Sequence, residues 1–304
     1  MTQNASLYRA FGVDFQSALP LPEMREGWEG VLAPVTIRLA SAPRPAGATE
    51  IDRGVVAGPK VFWMEVPGIV RLLVTNGTEI AVEILAGATE GEVRAYLLGS
   101  AMGALLHQRG LLPLHASAVE INGRAIAFIG TSGAGKSTMA LHMNARGHPL
   151  ICDDICAVDT SGAIPLVWPG LCNLKLWRDA LTSAARAPDG LEQVLPTLDK
   201  YRLPVAATAQ YEPYALETIF GLAAGQDGTA ATIIPLGGAE AATLLIANTF
   251  RGQLVVSMER SRAHFDQIMA IARDARIERL TRPWSIDALS ASCTAVARAV
   301  KVMS

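Results

Sequence analysis

The residues most able to do chemistry lie together at Gly130-Thr131-Ser132-Gly133-Ala134-Gly135-Lys136-Ser137, with Thr138 next, and match the spacing G-x-x-x-x-G-K-[ST]. Three glycines let a backbone turn sharply and aim several N–H groups at one point. A helix starting near Lys136 directs the positive end of its dipole to the same point. That combination suits phosphate. Lys136 would add a mobile cation for the β and γ phosphates, and Ser137 a hydroxyl for Mg²⁺. Asp153-Asp154 follows seventeen residues after Lys136. A strand after the loop helix returns its end to the phosphates, because ligands of α/β sheets sit at the carboxyl ends of strands. Two carboxylates there divide the work: one holds metal, the other accepts a proton from an attacking hydroxyl. An Asp pair is also a common way to end a strand in a turn. The adjoining loop favours the chemical reading.

Other candidates are weaker. His115, in Leu114-His-Ala-Ser-Ala118, is either a buried histidine with a satisfied hydrogen bond or a partner that orients the catalytic Asp. Ser117 is a lesser candidate for the same task. His148 follows Gly147 and reads as a cation or packing residue at a helix end. Cys152 and Cys156 flank the Asp pair, but no second pair with ligand spacing accompanies them, so both read as core. Lys175, Lys200, Arg202 and Arg251 are candidates for a phosphate or an acidic substrate.

These residues need elements to position them. Ala125 to Ile129 is a continuous apolar run, as in a strand buried on both faces. Leu114 to Ile121 reads as the strand before it, with Asn122-Gly123 as the turn. Met139 to Met143 fits a short helix capped by Gly147, and Pro149 to Cys152 begins the next strand. Upstream, residues 35–39, 61–66, 69–74 and 79–84 alternate as strands, with Asn76-Gly77 as a hairpin turn. An antiparallel N-terminal sheet is expected. Glu90 to Arg109 changes to helical spacing, and Gly110 is its stop. Further on, 232–234 and 254–256 read as strands, 264–273 and 286–302 as helices, and Ala241 to Ala247 as a buried strand or helix. The Pro- and Ala-rich stretch 184–209 reads as a mobile loop. The expected division is a β-rich region, 1–90, and a catalytic domain, 91–304.

Composition narrows the class. Half of the 304 residues are hydrophobic and the formal net charge is -2, so no basic excess points to nucleic acid. Four cysteines form no dense framework, which suits a reducing cytoplasm. The first fifteen residues lack a basic start followed by an apolar stretch, and no run of about 18 apolar residues occurs, so neither a signal peptide nor a membrane span is expected.

The blocks Leu114-His115-Ala-Ser-Ala, Gly130 to Thr138, and Arg146-Gly-His-Pro-Leu-Ile-Cys-Asp-Asp154 resemble the catalytic domain of HPr kinase/phosphorylase. The resemblance implies an α/β fold: a P-loop kinase core of the HPr kinase / PEP carboxykinase type with a β-rich N-terminal region. It implies Asp153 as base, His115 as its partner, Lys136 on the phosphates, and Ser137 with Asp154 on the metal side. Two features depart from that family. Ser137-Thr138 stands where it has Ser-Glu, and Val167 to Trp177 replaces a signature tied to the phosphorylase direction. A fuller match is to the HPr-kinase-like serine kinases of lasso peptide gene clusters. It rests on Tyr8-Arg-Ala-Phe-Gly12, Leu97-Leu-Gly99, Gln108 to Ala118, Leu174-Lys-Leu-Trp177 and Arg282-Pro283. That resemblance implies ATP and Mg²⁺ as cofactors and the C-terminal Ser of a precursor peptide as acceptor. A bifunctional kinase/phosphorylase acting on a phosphocarrier protein, and a nucleotide-binding sensor without transfer, are the competing readings. A homo-oligomer is left open.

Overall fold

The computed structural model describes residues 5–27, 34–184, 186–208, 210–226, 228–285 and 287–301. Nine strands between Ser6 and Ile84 form one sheet. Alternation sets its inner face: Val70, Leu72 and Val74 are buried along Val70–Thr75. Asn76 and Gly77 both take positive φ, +55° and +66°, and turn the chain into Glu79–Ile84. Contrary to the expectation of an antiparallel sheet, it is mixed. Val35–Leu39 runs parallel to both Val13–Ser17 and Glu79–Ile84. No hairpin joins it to either neighbour, and long connections leave the direction of entry open.

The expected helix over 90–109 is present with an interruption. Thr89 and Glu92 cap Glu90–Tyr96 reciprocally, and a π-helical turn, Leu97–Ala101, leads into Met102–Gln108. The buried side of this segment shares one core with the N-terminal sheet, and Ile155, Ala157 and Leu171 belong to it too.

The second sheet carries the chemistry. Arg124–Ile129 lies at its centre, buried as its apolar run requires, antiparallel to Ala116–Ile121 and parallel to Tyr214–Gly225. Ala116–Ile121 also pairs antiparallel with Leu150–Cys152. Two antiparallel steps restore the direction. The chain therefore leaves Ile129 and Cys152 at the same edge, where it also enters Ala116. Loop, Asp pair and His115 meet there for that reason. Alternate residues of Arg124–Ile129 feed two cores: Ala125, Ala127 and Ile129 on one face, Ile126 and Phe128 on the other. Helices Gly238–Ala247 and Ser261–Asp274 pack on the first, Lys136–Asn144 and Asp287–Lys301 on the second.

Three expectations need correction. The strand 114–121 is two strands, Leu112–Leu114 and Ala116–Ile121, because the chain changes partners at His115. The segment 254–256 lies in a helical turn, Leu254–Ser257, not a strand. Leu254 and Val255 are buried while Val256 is 74% exposed, so packing overrides the β-branched residues' strand preference. The stretch 184–209 is not a loop throughout. Gln193–Leu195 and Leu198–Pro204 join Asn173–Trp177 in a three-stranded antiparallel sheet. Residues 185 and 209 lie outside the described residues, as do 286 and 302 at the ends of the expected last helix. The strand expected at 232–234 is Thr232–Pro235, and 264–273 lies within Ser261–Asp274. No helix among the described residues is long and apolar enough to cross a membrane.

Candidate active site

The loop leaves Ile129 with Gly130 at φ +151°, and Gly133 and Gly135 lie in the left-handed region at +83° and +84°. A side chain at Gly135 would also run into Arg282 Nη2. Gly130 N–H donates to Asn248 Oδ1 (2.8 Å), which anchors the loop's first residue. No side chain caps the helix Lys136–Asn144. Its first amides, which a helix cannot satisfy internally, stay available beside the cavity. Lys136 is curled back, its Nζ donating to Gly130 O (2.9 Å) and Thr131 O (3.2 Å). Burial lowers its pKa, against the pull of Asp153 and Asp154.

Asp153 is almost fully buried. Its Oδ1 accepts from Ser117 Oγ (2.5 Å) and Ser137 Oγ (2.8 Å), and its Oδ2 from Lys175 N–H (2.8 Å). Asp154 sits at φ +70°, a conformation Asp tolerates better than most residues. Its Oδ2 accepts from Lys175 Nζ (2.7 Å). Burial works to raise the Asp154 carboxyl, but Lys175, with help from Lys200 and His115, holds it well below the usual carboxylate range.

His115 stands beside Asp154, not Asp153. Its Nδ1 lies 3.0 Å from Asp154 O and 3.5 Å from Asp154 Oδ1. Burial and then Lys136 lower its pKa, with Asp154 partly opposing. Its other neighbour is Phe250, with ring centroids 5.8 Å apart. His115 N–H also donates to Asn248 O (2.7 Å), so one asparagine is tied to both the histidine strand and the loop.

One cavity is lined by His115, loop residues from Ser132 to Thr138 other than Ala134, Asp153, Asp154, Lys175, Trp177 and Lys200. A second, of about 510 Å³, shares His115 and Ser132 with the first and is bounded by Thr131 and the turn from Asn248 to Gln253. Of the four basic candidates, Lys175 and Lys200 line the first cavity, and Arg251 lines the second and donates to Ser100 Oγ (2.6 Å). Arg202 lies elsewhere, paired with Glu192 at 2.7 Å. Cys152 and Cys156 are buried.

The structure brings in two residues to which the sequence assigned no role. Asn248 has no motif around it. Arg282, 5% exposed, lies behind the loop, with Nη2 donating to Ala134 O (3.4 Å). Burial lowers its pKa. Its charge adds to the positive potential on which the loop rests.

Magnesium takes oxygen donors, commonly one or two carboxylates completed by phosphate oxygens and water. Ser137 Oγ and the Asp154 carboxylate, both on this cavity, are oxygen donors of that kind. With Lys136 and the free amides, they form an arrangement able to hold a polyphosphate and polarise its terminal group.

No family model matches the chain. HPr kinase/phosphorylases of Azoarcus sp. and Aromatoleum aromaticum are each 41% identical to it over 61 residues, 20% of this chain and 19% of theirs. That of Prosthecochloris aestuarii is 39% identical over 56 residues, 18% of this chain and 16% of its own. The chain thus spans about a fifth of the length of the curated relatives it matches. Among solved structures, the Hpr(Ser) kinase/phosphatase from Coxiella burnetii aligns over 63% of this chain and 99% of its own, at 11% identity and a TM-score of 0.33. In the segments that align in sequence, this chain is HPr kinase/phosphorylase-like.

Proposed function

We propose that this chain is an ATP-dependent serine kinase that transfers the γ-phosphoryl group to a Ser hydroxyl of a peptide, the C-terminal Ser of a lasso peptide precursor. The observation that carries the kinase reading is the convergence of Lys136, Ser137, Asp153, Asp154 and Lys175 on one cavity beside the uncapped start of Lys136–Asn144. The peptide acceptor rests on the resemblance drawn from the sequence.

In this reading Lys136 leaves the carbonyls of Gly130 and Thr131 for the phosphates, and the loop amides hold them in line. Ser137 and Asp154 would hold Mg²⁺, which would supply neutralising charge to the phosphate oxygens. Asp153 takes the acceptor proton. Its Oδ1 already receives two hydroxyl hydrogens. A rotation of Ser137 Oγ away from Asp153 would free a place at Oδ1 that suits an acceptor hydroxyl. His115 steadies Asp154 and so positions rather than shares the base. Positioning and fixed charge supply most of the rate.

The test is mass spectrometry of a precursor peptide ending in Ser after incubation with the protein, ATP and Mg²⁺. A phosphoryl group on the terminal Ser, absent with Asp153→Asn, supports the proposal. No modification while ATP still binds refutes the acceptor. A second reading, a reversible kinase/phosphorylase acting on a phosphocarrier protein, is favoured by the names of the matched relatives. Release of pyrophosphate when a phosphoserine protein meets inorganic phosphate would select it.

A further inference from the structure

The small sheet has two unlike faces. Leu174, Leu176, Tyr201 and Leu203 point into the core shared with Lys136–Asn144. The alternate residues Lys175 and Trp177 therefore share the opposite face. Lys175 fixes where that face looks, because its Nζ reaches Asp154. Trp177, two residues on, stands over the same cavity with Ala180 beside it. Lys200 is its cross-strand partner, with Nζ 5.9 Å from the ring centroid. Trp177 nonetheless remains 45% exposed.

The cavity itself is only about 80 Å³, room for the phosphate end of a nucleotide but not for its base. Lys136 and Ser137 take that end beside Asp153 and Asp154. The rest of the molecule extends beyond this cavity, and Trp177 lines it while remaining open to solvent. We propose that Trp177 is the stacking platform for the nucleobase, a purine held by its π-face, with Lys200 setting the position of the indole. This rests on the reading above that the cavity binds a nucleoside triphosphate. Stacking reads no hydrogen-bonding edge. The platform therefore does not separate adenine from guanine.

The experiment measures the affinity of the full chain for ATP, GTP and inorganic tripolyphosphate, in wild type, Trp177→Ala and Trp177→Phe, with thermal unfolding as the folding control. Trp177→Ala should weaken ATP and GTP together, by about 5- to 150-fold, the range that alanine substitution gives for base–aromatic stacking. Tripolyphosphate, which has no base, should bind unchanged, and Trp177→Phe should recover most of the loss. Unchanged ATP affinity in Trp177→Ala overturns the proposal. So does an equal loss for tripolyphosphate, which would make Trp177 a support for the phosphate site. If wild type binds ATP as stated but phosphorylates nothing, only the kinase reading falls. If it binds no nucleotide, both fall.

Discussion

Lys175→Met tests the charge balance of the site without knowledge of the acceptor. The ammonium lies 2.7 Å from Asp154 Oδ2, with side chains 9% and 19% exposed. Methionine keeps the length and the apolar stem. The Lys175 N–H bond to Asp153 belongs to the backbone and survives. What changes is that Asp154 keeps its charge with His115, Lys136 and Lys200 left near it. Removing one partner of a buried pair typically costs about 3–5 kcal/mol. Partial exposure of Asp154 and the remaining Lys200 bring the expected loss to about 2–3 kcal/mol at pH 7.5. The sign with pH follows from the carboxyl. In wild type it is held low, so its contribution is full above the ordinary carboxylate value and is lost as pH falls through the depressed one. In the variant burial dominates and raises it. Protonation then relieves the variant first, so the gap between the two proteins should narrow from pH 7.5 to pH 4.5. Urea unfolding at both values measures it. Adding Asp154→Asn to Lys175→Met should recover part of the loss. A gap of constant size, or no recovery, would refute the reasoning.

Other perturbations follow from the same geometry. Asp153→Asn removes the proposed base while keeping its shape, and single-turnover phosphoryl transfer should slow by about 10²–10⁴-fold with ATP affinity little changed. Asn248→Ala takes the acceptor from the buried Gly130 N–H, which should cost about 1–3 kcal/mol and weaken ATP binding in a titration, with Asn248→Asp retaining more of both. Gly135→Ala combines a left-handed φ with a clash against Arg282; calorimetry should find nucleotide binding lost even where circular dichroism shows the fold retained. His107 is buried against Phe250 O, and burial takes its pKa down to about 4. Between that value and its ordinary one near 6.5 the unfolded chain binds more protons, so stability should fall by up to about 3 kcal/mol on acidification across that window. His107→Gln should flatten this part of the pH–stability curve.

The loop and the Asp pair were legible because their spacing is tied to phosphate chemistry and because Ala125 to Ile129 could only be a buried strand. The break at His115 was not legible: both flanks are good strand sequence, and only the change of partner from Cys156–Asp159 to Arg124–Ile129 interrupts them. Lys175 could be shortlisted as a basic residue but not placed. Its importance comes from register, which sets its N–H on Asp153 and its ammonium on Asp154 together. His115 was expected to serve Asp153; its contacts are with Asp154, a difference of one residue at a turn whose positive φ separates the two carboxylates. Leu198–Pro204 was hidden by the Pro- and Ala-rich residues around it, though in the structure Tyr201 and Leu203 enter one core while Lys200 and Arg202 take the other face.

The Phe11-Gly12 turn is stitched to the segment that leads into Asn173–Trp177. Phe11 N–H donates to Pro169 O (2.7 Å), Phe11 packs over Gly170, and Gly12 lies under the Trp168 ring. The N-terminal sheet and the strand bearing Lys175 thus have no clean seam between them. Grafting residues 91–304 onto another N-terminal half would strip Gly170 and Trp168 of their cover. Any recombination of the two halves, in the laboratory or in evolution, has to carry matching residues on both sides of that stitch.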